Sequence, residues 1–169
     1  QLLIAFDEDK SAPDRVDIDK LYYQFPIGNG FTATLGPRVG QENMLALWPS
    51  VYPSDSILNV MAVNGAPAAY TKNRGAGFGL WWEHTSGLSI SANYVANNGD
   101  DSSEGLFTST SGSSSSLQIA YAQEQWGLAA IASYVQPHTE FVPGTTPTVH
   151  SSIDHTASAE TQAYGLSAY

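Results

Sequence analysis

The chain of 169 residues contains no cysteine, and basic and charged residues are scarce. Without cysteine, a disulfide framework and a thiolate metal centre are excluded. Lysine and arginine number 6 against 16 aspartates and glutamates, giving a formal charge of -10. Nucleic-acid binding requires many phosphate-neutralising cations, so nucleic acid is not an expected partner. Charged residues make up 13% of the chain, against about 25% in an ordinary soluble domain. This composition favours strands with one apolar and one mildly polar face.

Long apolar runs are also missing. No stretch of about 18 apolar residues is present, so the sequence predicts no transmembrane helix. A search for long apolar runs does not detect a membrane-spanning strand, because apolar residues occupy only every second position of such a strand. Such alternation is clearest over residues 88–95, where Leu88, Ile90 and Tyr94 alternate with Ser89, Ser91 and Asn93.

The same period of two predicts about eight strands along the chain. Each runs for about 7–10 residues, close to the length that a tilted strand needs to cross the hydrocarbon layer. The predicted strands cover residues 2–7, 17–25, 31–39, 75–83, 88–95, 117–123, 126–135 and 161–169.

Short and long connections alternate between these strands. The short turns fall at residues 28–30, 85–87 and 124–125, and the long loops at 8–16, 40–74, 96–115 and 136–160. Outer-membrane barrels combine short periplasmic turns with long external loops in this way. The predicted fold is therefore all-β, an antiparallel transmembrane β-barrel segment. Because the chain starts and stops inside strands, and open sheet edges promote aggregation, we expect it to be part of a larger barrel.

Residues 40–74 differ from the other long loops. They contain the apolar stretches 44–48 and 57–61 and three prolines, Pro49, Pro53 and Pro67. A loop of this length inside a domain is either functional or wrongly assigned. We expect it to fold into the lumen as a constriction loop. The alternatives are an additional pair of strands or a subdomain packed on the outside.

Charged side chains near this loop are the candidate pore-lining residues. Opposite charges across a constriction would create a transverse field that favours small polar solutes. Alternatively, the same residues only pair with one another and stiffen the loop. By strict alternation Arg38 and Glu83 point inward, Lys72 and Arg74 close the loop, and Glu42 and Asp55 lie within it.

Aromatic residues lie near the strand ends, as in the interfacial girdles of lipid-facing barrels. The alternative is that they are simply common in strands and cover the core of a sandwich. Tyr23, Phe25, Phe31, Trp82, Tyr121 and Trp126 are close to the short turns, and Tyr94 and Tyr134 are close to the long loops.

No catalytic or metal-binding pattern is present, so we expect neither an enzyme nor a cofactor. His84, His138, His150 and His155 are isolated in sequence. Residues 98–104 are acidic but lack the spacing of a helix-loop-helix calcium site, and a solvated loop is the favoured interpretation. The Gly-x-Ser-x-Gly nucleophile motif and the glycine-rich phosphate loop are both absent.

Several segments resemble a known family. They are residues 19–28 (DKLYYQFPIG), 32–37 (TATLGP), 47–55 (LWPSVYPSD), 64–70 (NGAPAAY) and 74–79 (RGAGFG). These segments are similar to the major outer-membrane porin of cyanobacteria, a distant relative of the carbohydrate-selective porins, and the likeness is most specific over residues 17–83.

The resemblance implies a single-chain barrel of about 16–18 strands, commonly a homotrimer, in the outer membrane. Such a barrel passes small hydrophilic solutes and inorganic ions by passive diffusion. Relatives usually carry an N-terminal surface-layer-homology domain that binds the cell wall. We do not expect such a domain in these 169 residues, so that role is not carried over.

A soluble, secreted β-sandwich, such as a lectin or an adhesin, would use the same alternating strands. The two hypotheses differ in the surroundings of Trp82, Tyr94, Ile119 and Leu128. In a sandwich these side chains are buried between two sheets, whereas in a porin they face lipid.

Overall fold

Alternation along the sequence produces eight antiparallel strands, which the computed structural model arranges in one open sheet in the order β1 to β8. The structure describes residues 2–8, 16–54, 62–63, 66, 68–137, 139 and 160–169. Within these residues no helix is long and apolar enough to span a membrane. The strands are β1 (Leu2–Glu8), β2 (Val16–Gly28), β3 (Phe31–Gly40), β4 (Arg74–Glu83), β5 (Leu88–Ala96), β6 (Ser113–Ala122), β7 (Gly127–Val135) and β8 (Thr161–Ala168), with a short 3-10 helix at Gln41–Met44.

All eight predicted strands are confirmed, with differences at their ends. The largest is in β6, which begins at Ser113 rather than at residue 117. The run of serines had indicated a loop because it has no apolar alternation. In the sheet, Ser113, Ser114 and Ser115 pair with Ala96, Val95 and Tyr94 of β5. Ser113 and Ser114 are also buried, so their backbone groups require the ladder hydrogen bonds.

The short turns lie together at one end of the sheet because each strand pairs with the next. Asn29 and Gly30 connect β2 to β3 with φ angles of 52° and 83°. A two-residue hairpin turn needs positive φ at both positions, which Asn and Gly adopt most readily. In the next turn the ring nitrogen Nδ1 of His84 accepts a hydrogen bond from the backbone N–H of Ser86 at 3.2 Å.

The two faces of the sheet have opposite polarity. One face, called the outer face, carries large apolar side chains that are 40–52% exposed, including Phe78, Leu80, Ile90, Ile119 and Leu128. The opposite face, called the inner face, carries small polar side chains that are buried. In one row across neighbouring strands these are Thr34, Asn93, Ser116 and Ser133, with Gly79 between Thr34 and Asn93.

Residues 41–73 are called the covering segment. The inner face is buried because the described residues of this segment lie against it. Met44, at the start of the segment, packs with Tyr22, Val39 and Val95 of the sheet. Further along, Leu45 and Tyr70 join a buried cluster with Ile131 of β7 and Ala163 of β8. The described part of the segment therefore reaches from β3 across to the far edge of the sheet. The core of the molecule lies between this segment and the inner face.

A register shift in β3 changes the predicted orientation of Arg38. The pairing with β4 is interrupted between Gly36 and Val39, and a bulge of this kind adds a residue that reverses the alternation. Val39 consequently takes the buried inner position, whereas Arg38 is exposed. The Nε group of Arg38 donates to the backbone oxygen of Asp19 at 3.1 Å. The inward orientation predicted for Arg38 is therefore wrong.

Candidate functional site

The two ends of the covering segment are joined to each other by Gln41. Its backbone N–H donates to the oxygen of Asn73 at 3.0 Å. Its side-chain Nε2 donates to the oxygen of Ala69 at 3.1 Å. Its Oε1 accepts from the hydroxyl of Thr71 at 3.3 Å and from the backbone N–H of Lys72 at 3.2 Å. Gln41 is fully buried, so the base of the segment is closed by neutral hydrogen bonds.

The returning end of the segment is attached to the wall by Asn73. Its Nδ2 donates to the backbone oxygens of Val95 and Gly112 at 3.1 and 3.3 Å and to the hydroxyl oxygen of Ser114 at 2.9 Å. The hydroxyl of Ser133 donates to the oxygen of Ala69 at 2.7 Å. These contacts fix residues 69–73 against β5, β6 and β7.

Tyr70 extends the attachment towards the edge of the sheet. Its hydroxyl accepts from Nε2 of Gln118 at 3.2 Å and lies 3.4 Å from the hydroxyl of Ser167. Burial raises the pKa of the Tyr70 hydroxyl above its ordinary value, and the hydrogen bonds with Ser167 and Gln118 oppose this only in part. The Tyr70 ring also meets Trp48 edge to face, with 5.7 Å between centroids.

Four charged residues form an ionic cluster beside this base. The Glu42 carboxylate lies 3.0 Å from Nζ of Lys20 and 3.8 Å from a guanidinium nitrogen of Arg74, and only 4% of its side chain is exposed. Arg74 in turn pairs with Asp19. Two cations and two anions thus offset each other at the point where the segment leaves the sheet. For Glu42 and Arg74, this geometry is the one expected from the alternative to a pore-lining role, in which the charges pair with one another and stiffen the loop.

Gly40 allows this cluster to form. A Cβ atom at this position would collide with the Glu42 carboxylate. The glycine N–H also donates to the side-chain oxygen of Asn43 at 3.2 Å. Replacement by any larger residue would therefore displace Glu42 from its two cations.

The other predicted charges do not join the cluster. The Nζ of Lys72 donates to the backbone oxygen of Ser54 and lies 5.8 Å from the centroid of the Trp48 ring. Glu83 is at the far end of β4, nine residues from Arg74, or about 30 Å at 3.3 Å per residue. There it accepts from Nε1 of Trp81 at 3.3 Å. Asp55 lies outside the described residues.

The wall beneath the segment is polar but uncharged. Its side chains include buried hydroxyls and amides, among them Ser91, Asn93, Ser116 and Gln118. Ser91 accepts from the backbone N–H of Ala46 at 2.8 Å, and Ser116 donates to Oδ1 of Asn93 at 2.8 Å. Nδ2 of Asn93 and Oε1 of Gln118 are buried without a partner among the described residues. Such groups can interact with a polar molecule that enters between the wall and the segment.

The predicted interfacial aromatics lie on the outer face in contact with one another. Near the short turns, Phe31 lies 6.3 Å from Trp82, and Tyr121 lies 5.6 Å from Trp126, measured between ring centroids. Near the long loops, Tyr94 lies 5.7 Å from Phe78. Tyr134 occupies the same row of paired residues as Phe78 and Tyr94.

Tyr23 is further from its turn than the sequence suggests. It stacks on Phe25 with 5.4 Å between centroids. However, Tyr23 pairs with Leu35 of β3, and Leu35 pairs with Phe78 of β4. Tyr23 therefore lies in the row of Phe78, near the long loops.

Phe107 is an aromatic residue that sequence reasoning missed. It projects from the loop between β5 and β6, is 73% exposed, and lies 5.2 Å from the ring of Tyr94.

Sequence reasoning also missed four residues at the base of the covering segment. Lys20 could have been found, because it shares a strand face with Tyr22 and Gln24 in a chain with few charges. Asp19, Gln41 and Asn73 carry no comparable signal, since polar residues beside a loop usually face water. Their importance depends on contacts between positions 22 to 55 residues apart, such as Lys20 with Glu42 and Asp19 with Arg74.

The acidic loop between β5 and β6 is organised by its own hydrogen bonds. The hydroxyl and the backbone N–H of Ser103 donate to Asp101 at 2.6 and 2.8 Å, and these bonds lower the pKa of Asp101 below its ordinary value. Among the described residues, no three acidic or histidine side chains come together as metal ligands would. His138, His150 and His155 lie outside those residues.

Comparisons with protein-family models, with curated proteins and with solved structures find no match for the chain. The resemblance seen in the sequence therefore remains a prediction.

Proposed function

We propose that the chain forms part of the wall of an outer-membrane porin that passes small hydrophilic solutes and inorganic ions by passive diffusion. The observation that carries this proposal is the polarity of the sheet. Its apolar face is exposed, whereas its polar face is buried beneath residues 41–73. A one-sided soluble sheet buries its apolar face instead. A membrane barrel directs apolar side chains to lipid and polar ones to the lumen.

The open edges of the sheet support a larger barrel. In the described residues β1 and β8 are the two edge strands, and unpaired edges promote aggregation. A barrel of eight strands has an interior that is just filled by side chains, so it could not also contain the covering segment. We therefore propose further strands, about 16–18 in all, and a homotrimer as in the family that the sequence resembles.

The covering segment is the constriction loop in this proposal. It lies on the lumen side of the wall, and the four charged residues at its base, Asp19, Lys20, Glu42 and Arg74, largely offset one another. Solutes passing between the segment and the remaining wall would meet hydroxyl and amide groups. Such a pore separates solutes by size and hydrogen bonding more than by charge.

The alternative of a soluble lectin or adhesin requires a second layer over the outer face. Ile119 and Leu128 would then be buried, but they are 52% and 50% exposed. Trp82 and Tyr94, which the alternative also buries, remain partly exposed. The alternative predicts a monodisperse protein in buffer without detergent. The porin proposal predicts extraction only with detergent.

Planar-bilayer recording of the purified full protein, with the complete barrel of which this chain forms part, tests the proposal. We expect discrete conductance steps. In a salt gradient, Arg74→Gln should shift the reversal potential towards cation selectivity because the carboxylates of Asp19 and Glu42 lose one cation. Arg38→Gln is the matched control, since Arg38 is exposed away from the inner face. A detergent-free monodisperse protein that produces no conductance would overturn the proposal.

A further inference from the structure

Two separate sets of contacts hold the base of the covering segment. One is the ionic cluster of Asp19, Lys20, Glu42 and Arg74. The other is neutral and centres on Gln41, which contacts Ala69, Thr71, Lys72 and Asn73. Salt weakens the first set modestly, because its charges are partly buried and therefore only partly screened, whereas it has little effect on buried neutral hydrogen bonds.

The backbone at Lys72 is shaped to meet Gln41. Lys72 has φ of 51°, a left-handed conformation that L residues other than glycine, asparagine and aspartate rarely adopt. In this conformation its N–H donates to Oε1 of Gln41 at 3.2 Å. The side chain of the next residue, Asn73, donates to the backbone oxygen of Val95 in β5 and to the hydroxyl of Ser114 in β6. The contacts thus run continuously from Gln41 through residues 72 and 73 to the wall.

We propose that Gln41 is the positioning residue that fixes how closely the covering segment lies against the wall, and thereby sets the open size of the pore. This inference rests on the proposed porin function. Gln41 joins the outgoing end of the segment to the returning end, and the returning end is bound to the wall by Asn73 and Ser133. Gln41 therefore holds the outgoing end to the part of the segment that is fixed on the wall, and the pore widens when its side-chain contacts break.

The chemistry of position 41 requires an amide. The side chain must donate to a carbonyl oxygen and accept from an N–H and a hydroxyl at the same time, and glutamine does both. Glutamate would place a carboxylate against the oxygen of Ala69. Methionine, of similar length, would provide neither a donor nor an acceptor. Because the position is fully buried, water does not readily replace the lost partners.

Thiol labelling of the full chain measures the position of the segment directly. The chain has no cysteine, so Ser91→Cys provides a single reporter. Ser91 is 1% exposed on the inner face, beneath Ala46 of the segment. Gln41→Met in this background should raise the labelling rate by about ten- to a hundredfold, the change expected when a buried hydrogen-bonding group loses its partners. Ser109→Cys, in the exposed outer loop, gives the rate for an accessible thiol.

Conductance provides the second measurement. Gln41→Met should increase single-channel conductance and admit larger neutral polymers. Thr71→Val removes the hydroxyl that donates to Gln41 and accepts from the backbone N–H of Asn73. It leaves the other Gln41 contacts in place, so it should cause a smaller change in the same direction and provides a second variant if the methionine variant folds poorly. Gln123→Met is the matched control, because its Nε2 donates to Ser86 in an exposed turn far from the segment.

Wild-type labelling and conductance in a folded Gln41→Met protein would overturn the inference. Equal changes in Gln123→Met would do the same, because they would show a general loss of stability. If the complete wild-type protein that contains this sheet forms no channel, the porin proposal fails. The labelling experiment still decides in that case whether Gln41 holds the segment.

Discussion

Met44 of the covering segment lies directly against Gly79 of β4. A Cβ atom at position 79 would be 2.8 Å from both Cβ and Sδ of Met44 and 3.1 Å from Cβ of Asn93. The absence of a side chain on the wall at this point is what lets the segment lie close to the sheet. The segment and the wall are therefore fitted to each other at atomic distance.

Gly79→Ala should lift the start of the segment from the wall. The added methyl group meets both Cβ and Sδ of Met44, and rotation of the side chain cannot move the Cβ aside, so we expect a loss of about 1–3 kcal/mol in the free energy of unfolding. Urea unfolding in detergent micelles measures it. Ala130→Val is the control because Ala130 is exposed on the outer face. Equal stability of the Gly79→Ala and wild-type proteins would contradict the close fit.

Glu42→Gln should destabilise the protein in a salt-dependent way. Loss of the carboxylate charge leaves Lys20 without the charged partner that lies 3.0 Å away, and we expect a cost of about 1–3 kcal/mol at low salt. The cost should decrease modestly at high salt, because Lys20 and Arg74 remain 19% and 32% exposed and salt screens a partly buried pair less than an exposed one.

Glu83→Gln is the matched control for this change. Glu83 is exposed at the opposite end of β4, and surface substitutions usually alter stability by less than about 0.5 kcal/mol. If the two variants lost the same amount, or if the cost of Glu42→Gln did not vary with salt, the ionic cluster would not contribute as described.

Alkaline pH should loosen the covering segment through Tyr70. Its pKa is raised in the folded protein, chiefly by burial. The stabilising contribution is therefore complete below the ordinary tyrosine pKa of about 10, and it is lost as pH rises through the higher folded value. Labelling of the Ser91→Cys reporter should accelerate in that range.

Tyr70→Phe serves as the comparison for the pH experiment. It removes the ionisable hydroxyl together with the contacts to Gln118 and Ser167, so its labelling should be somewhat faster at neutral pH. The additional acceleration above pH 10 should be absent. If both proteins respond equally to alkali, other groups are responsible for the loosening.

Trp81 and Trp82 provide a test of which face meets lipid. The two residues are adjacent, yet alternation places Trp82 beside Phe31 on the outer face and Trp81 opposite Ser91 on the inner face. In variants that retain one tryptophan each, brominated lipid chains should quench Trp82 fluorescence more strongly than that of Trp81. Equal quenching of both by lipid, or of neither, would argue against a lipid-facing outer surface.

The strands could be predicted because their outer positions are apolar at every second residue. That signal fails in the Ser113–Ser116 stretch, where both faces are polar and only pairing with β5 reveals a strand. It also fails at Arg38, because a bulge reverses the alternation and nothing in the local sequence marks the extra residue. The orientation predicted for Arg38 was wrong, and the start predicted for β6 was four residues too late. Both features depend on strand pairing, which local alternation does not show.

The base of the covering segment was only partly predictable. Glu42 and Arg74 could be proposed because charges are rare in the chain and these two flank the loop. Gln41 and Asn73 could not, because each acts through backbone groups that approach it only after the strands have paired. Tertiary contacts, and not local pattern, decide which polar residues of a long loop become buried.

The neighbour-only pairing of the strands has an evolutionary consequence. In the order β1 to β8 each described strand pairs only with its sequence neighbours, so duplication or loss of one hairpin would alter the width of the sheet without changing the pairing elsewhere. The described contacts of the covering segment end at β8. Hairpins gained or lost beyond β8 would therefore change the width of the sheet while the covering segment and its attachment stay unchanged.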